Sequence, residues 1–443
     1  MKKLFFVFAL PVACCLLPAF FSCRPDLKKP APSSGDADFS KFVALGGNFM
    51  AGVQDGALYK DGQQYSIPYL MAKYMHLAGG SASFAQPFMP DNSGLGINAK
   101  PWESDYQHAS NLRYKVDCQG VNALKPVKEL FSTASAGIYL QHLSESFQNL
   151  SVPFAKISDY TNTSIGISGN ENPYYARFAS NPGTSTMLSD TKAQQPTFFA
   201  LWPGMEDIYD YARNGGYNQS ILSAASFSIY LDSILSQFNT KGIIANIPDL
   251  TSFPFYTLVT WNALELTQSK ADSLNQLTGY LFNFVEGKNG FVIADPNSSF
   301  GYRKMLNGEY ILLTVPLDSV KCDFLGVFTE MPDRYVLDST EALFINNSIA
   351  QYNTIIAAKA QQYNLALTDM NAYFKSVSAG IKWNGVDFNA VFVSGGFFSL
   401  DGYHPNQKGY ALIANEFIRA INSKYSSTIP RVNCPECSGI KFP

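Results

Sequence analysis

Short apolar runs alternate with longer amphipathic stretches along most of this chain, the pattern of strands and helices taken in turn. The runs at residues 42–45, 197–202, 242–247 and 364–368 predict strands. Helical periodicity predicts helices over 68–76, 220–238, 345–363 and 407–424. This order predicts an α/β fold with a mainly parallel sheet, whose chemistry belongs in the loops after the carboxyl ends of the strands. Residues 300–340 break the pattern. The β-rich stretches 310–316 and 334–337 predict a β-hairpin insertion beside or over the site.

The N-terminus has a different character. Lys2 and Lys3 precede an apolar run that ends in Ser22-Cys23, which predicts a signal peptide over 1–22. A small residue directly before cysteine resembles the lipobox of bacterial lipoproteins, with Phe20 where leucine is usual; the resemblance implies lipidation at Cys23. Residues 23–38, rich in Pro, Ser, Gly and charge, predict a lipidated, flexible tether, and 39–443 a single folded body. No later segment approaches the ~20 apolar residues that span a bilayer. The expectation is an exported, cell-envelope protein, lipid-anchored to the outer membrane on its periplasmic or surface face.

Composition narrows the partners. Lysine and arginine number 32 against 35 acidic residues, for a net charge of −3. No basic face is apparent to attract a phosphate backbone, so nucleic acid is excluded as an expected partner. The 34 Phe and 25 Tyr read first as core and loop packing. Cys118, Cys322, Cys434 and Cys437 are left to pair in an unspecified way, the last two as a tail disulfide or as free thiols. No cofactor is expected, and no metal, because His76, His108 and His142 lie in segments unrelated to the carboxylates near His404.

Four blocks carry a family resemblance. FVALGGNFMAGVQDGALY, beginning at Phe42, resembles the first block of SGNH (GDSL-type) hydrolases, a Gly-Asp/Asn-Ser-Leu turn followed by Thr-Ala-Gly. Gly46, Ala51 and Gly52 keep their positions, and Asn48 stands at the nucleophilic serine. A register one residue later puts Phe49 there. Neither supplies a nucleophile, since no Ser, Thr or Cys occurs between Ser40 and Ser66. NLSVPFAKISD resembles the second block, with Phe154 where a glycine lends its N–H to the oxyanion hole. ALWPGMEDIYDYARNGG resembles the third, Gly-x-Asn-Asp, keeping Gly204 and Asp207 but placing Glu206 at the donating asparagine. SLDGYHPNQKGYALIANEFIRAIN resembles the closing Asp-x-x-His block: Asp401 matches the residue that orients the imidazole and His404 the general base. Of the four residues that name the family, the histidine alone remains. IPDLTSFPF, starting at Ile247, and the chain length are similar to a branch common among lipoproteins of Bacteroidetes-type bacteria. The resemblance implies a flavodoxin-like three-layer sandwich.

The chemistry of an intact site needs each lost part. An amide at Asn48 cannot be activated by proton removal as a hydroxyl can. Losing one oxyanion donor costs about 2.7–4 kcal/mol. A carboxylate at Glu206 ~4 Å from the oxyanion would add about 4 kcal/mol of repulsion at an effective dielectric near 20. Two readings follow: a weak or inactive ester hydrolase fold that binds an acyl or glycan ligand in the inherited cleft, or an active ester hydrolase using a displaced serine, Ser399 being nearest in sequence, or a water activated by His404. A purely structural lipoprotein is the third.

Overall fold

The computed structural model describes residues 31–97, 106–131, 133–167 and 172–443. The expected signal segment and Cys23 lie outside them. At the centre is a four-stranded parallel sheet of β1 (Phe42–Gly46), β4 (Phe198–Trp202), β5 (Lys241–Ala245) and β6 (Ala366–Thr368), in the order β1-β4-β5-β6. Phe42 lies beside Phe198 and Gly46 beside Trp202, so the first two strands end level. An extended segment runs along the free edge of β1, where Leu150 and Val152 N–H groups donate to the Ala44 and Gly46 carbonyls. β1 and β4 are buried at every position, because helices cover both faces of the sheet. The α/β fold with a parallel sheet expected from the periodicity is therefore observed.

Helices α2 (Ile67–Leu77), α4 (Ala224–Leu235), α6 (Ser339–Gln362) and α7 (Gln407–Tyr425) fall on the four predicted spans, with α6 starting at residue 339 rather than 345. The closing helix α7 begins where Asn406 caps it, its side chain accepting from the Lys408 and Gly409 amides. Tyr410, Leu412, Ile413, Phe417 and Ile421 are then wholly buried against β6 and α2. Among the described residues, no helix is long and apolar enough to cross a membrane.

Three expectations change. Residues 33–38 of the supposed tether are fixed to the body: Ser33 N donates to Thr428 Oγ1 and Thr428 N to the Ser33 carbonyl, both at 2.8 Å, and Ala37 is buried. Backbone pairing with the chain that follows α7 overrides the Pro- and Ser-rich composition. The 300–340 insertion holds the expected antiparallel pair, but not joined by a tight turn. Tyr310–Ile311 does pair antiparallel with Val336–Leu337, but the helix α5 (Leu317–Cys322) lies between them, started by Pro316. A hairpin of β2 (Asn111–Val116) with β3 (Asn122–Val127) stands in a segment for which no strand was expected. A disulfide between Cys118 and Cys322 joins this hairpin to α5 across 204 residues of sequence, and Lys321 and Lys125 pair with Asp117 and Asp318 beside it. Cys434 and Cys437 are free thiols, both buried.

Candidate functional site

The block residues meet at the carboxyl ends of the strands. Asn48 opens the four-residue helix α1 (Asn48–Ala51) directly after β1, Phe154 follows the edge segment, Glu206 lies in the first turn of α3 (Met205–Arg213) after β4, and Asp401 and His404 precede α7. Gly47 lets the loops close up, because a Cβ there would stand 2.7 Å from the Glu206 Cγ.

Asp401 is the best-satisfied group of the site. Its Oδ2 accepts from His404 Nδ1 at 2.7 Å and from the Gly56 amide at 2.8 Å, while Oδ1 accepts from the Ser399 hydroxyl and from the Tyr403 and His404 amides. Burial pushes this carboxyl up, yet His404 and these hydrogen bonds outweigh it and hold it below the ordinary carboxylate range. A carboxylate accepts only, so Nδ1 carries the proton in the neutral ring and Nε2 presents its lone pair. That Nε2 is buried without a hydrogen-bond partner. Phe49 and Tyr403 hold the ring from two sides, with centroids at 5.5 and 4.7 Å. Asp401 and His404 thus have the orientation of a base and its positioning partner.

Ser399 is not beside the imidazole nitrogen. Its hydroxyl donates to Asp401 and accepts the Asp55 N–H at 2.9 Å, so both of its strong interactions serve the loop. Asp55 was not singled out by the sequence, although it takes the Leu400 amide and the Tyr59 hydroxyl and ties the loop after β1 to the Asp401 turn. Burial raises its carboxyl to about 6.

The other two block positions are locked together. Asn48, wholly buried, uses Oδ1 to accept the Phe154 N–H at 2.8 Å, and its own N–H faces Glu206 Oε1 at 3.4 Å. Phe154 has a φ of +62°, the left-handed conformation that glycine adopts without strain. The family's glycine position therefore keeps its backbone shape under a phenyl side chain. Glu206 is buried, and its carboxyl is raised by desolvation, offset by Arg213 and His404. Arg213 donates to Glu206 Oε2 at 3.2 Å and stacks between the Phe154 and Tyr403 rings, 5.3 Å from each centroid. The lone repelling carboxylate expected at this position is instead half of an ion pair. Sequence reading missed Arg213, although its spacing of seven from Glu206 puts both on one helix face. Asp207, the retained neighbour, turns away to accept the Ile157 amide, and burial raises it to about 7.

Among the described residues no group of three or more His, Cys, Asp or Glu side chains is placed to hold a metal ion. Residues 132–417, well over half of the chain, match the family profile described as GDSL-like Lipase/Acylhydrolase. That match includes Phe154, Glu206, Asp401 and His404 and starts after Asn48. No curated protein matches the chain.

Proposed function

The chain belongs to the GDSL-like lipase/acylhydrolase family, and from that premise we propose that it is a lipid-anchored, outer-membrane member without acyl-transfer chemistry, in which the catalytic loops persist as a buried polar lock. The observation that carries this reading is the hydrogen bond from Phe154 N to Asn48 Oδ1. It occupies at once the backbone donor of the oxyanion-hole position and the amide oxygen at the nucleophile position, leaving Asn48 Nδ2 as an unpartnered donor that cannot attack. No nucleophile stands there, and the backbone N–H that would stabilise an oxyanion is already taken. An acyl or glycan ligand of the inherited cleft would have to enter past Phe154 and the Arg213–Glu206 pair, and it would be bound rather than turned over.

The test is hydrolysis of p-nitrophenyl acetate by the purified protein. Wild type should be no faster than His404→Ala, because a base with no nucleophile has little transition state to stabilise. Asn48→Ser alone should restore little, since the parts of one catalytic unit act non-additively. Adding Phe154→Gly and Glu206→Asn should restore more than the single changes together.

One observation favours a second reading. The unpartnered lone pair of His404 Nε2 is free to take a proton from water. Wild-type turnover well above His404→Ala would select that reading over ours, and an unchanged rate in Ser399→Ala would then assign the attack to water.

A further inference from the structure

Away from these loops, the root of the β2–β3 hairpin and the loop at residues 92–94 border a half-open cleft of about 320 Å³, at the low end of the range of small-molecule sites. It is built wholly from residues 92–129, ahead of the segment that matches the family. We propose that this cleft is a binding site for a neutral sugar, a terminal ring of a glycan.

The lining gives the chemical class. Three side chains each use one polar atom on the backbone and leave the other for a ligand. Asn92 Oδ1 accepts the Asp61 amide, leaving Nδ2 as a donor. Asn111 Nδ2 donates to the Ala109 carbonyl, leaving Oδ1 as an acceptor. His108 Nδ1 meets the Gly94 carbonyl at 3.0 Å, and because a carbonyl only accepts, the neutral ring leaves Nε2 as an acceptor. The imidazole is further fixed by stacking on Phe131, with centroids 4.2 Å apart. Donors and acceptors so interspersed, and held in place beforehand, suit hydroxyl groups that both give and take hydrogen bonds.

Charge points the same way. Arg113 and Glu129 both line the cleft but pair with each other at 3.0 Å. A phosphate or carboxylate would meet a guanidinium already paired, beside a carboxylate that repels it; the pair is more than half exposed and worth under about 1 kcal/mol, so the amides and the imidazole set the ligand class. A neutral polyol meets no such repulsion. The floor connects to the loops already described: Ala109 packs with Ala57 and Tyr59, and Gln107 Nε2 donates to the carbonyl of Gly56, whose amide binds Asp401.

The test is saturation-transfer NMR on the purified protein with glucose, galactose, N-acetylglucosamine and lactose as probes, and inorganic phosphate binding as the charged control. At least one sugar should receive magnetisation. His108→Ala and Asn111→Ala should each weaken it about tenfold, the scale of one lost hydrogen bond, at an unchanged melting temperature. Asn92→Ala, at an exposed loop position, gives the same reading if His108→Ala loses its fold. His404→Ala should bind as wild type does, which keeps this result independent of any ester turnover. Transfer to none of the four sugars, phosphate binding in their place, or full affinity in both Asn92→Ala and Asn111→Ala overturns the assignment.

Discussion

Arg213 reaches back along its own helix to donate to the carboxylate of Glu206 at 3.2 Å, with 14% and 1% of the two side chains exposed. Neither charge tolerates the loss of the other in that setting. Arg213→Met should lower the unfolding free energy by about 3–5 kcal/mol, the cost of a stranded buried charge. Combining it with Glu206→Gln should recover most of that loss. Urea titrations of the two singles and the double measure the coupling, and additive effects would show that the pair contributes no shared stabilisation.

The Asp207 carboxyl, held at about 7 against an ordinary 3.8, links stability to pH. The unfolded chain releases this proton at lower pH than the folded one, so the contribution is complete below about pH 4 and is lost as pH rises through 7. Asp55, raised to about 6, acts in the same direction. Stability should therefore decline between pH 4 and 8, and Asp207→Asn should flatten the decline. An unchanged slope in that variant, followed by chemical denaturation across this range, would remove Asp207 as its source.

The cross-link between Cys118 and Cys322 closes a loop of 204 residues. In the chain-entropy account a loop of that length restrains the unfolded state by about 5 kcal/mol, and removing a native bridge commonly costs about 2–5. Cys118→Ser should lose stability in that range, and the Cys118→Ser/Cys322→Ser double should match it. Trypsin should also cut at Arg113 or Lys115 sooner in the variants, because the hairpin loses its hold on α5. Equal cleavage rates would mean that the neighbouring ion pairs suffice.

The proposed membrane attachment rests on the Ser22-Cys23 junction. Cells fed radiolabelled palmitate should incorporate label into the wild type and not into Cys23→Ala. Equal labelling of both would exclude lipidation at this cysteine.

The parts that the sequence reveals and the parts that it hides divide on physical lines. Phe42–Gly46 and Phe198–Trp202 are legible because strands buried on both faces must be apolar throughout. Asn111–Val116 was not, because only Leu112 in it is buried and no alternation marks a half-exposed ribbon. The residues of the Asp401–His404 block could be placed from their local spacing and the helix that follows. Arg213 was missed although its partner is on its own helix, because a charge at a helix end reads first as a solvated one; Asp55 and the role of Ser399 could not be placed, since the bonds that join them cross 344 and 345 residues of sequence. Glu206 read alone suggested repulsion; only its neighbour on the helix changes the sign.

The clasp between the two chain ends bears on how the protein carries load. Ser33 and Thr428, Ser34 and Ser427, and Asp36 and Tyr425 are hydrogen-bonded across the start of β1, on the side of the sheet away from His404. A pull on the chain at Pro32 is thus taken first by these bonds and passed to the end of α7, whose buried face grips the sheet along its length. Tension applied at Pro32 would unzip the clasp before it sheared β1, so the load would be spent at one edge while the loops at the other kept their geometry.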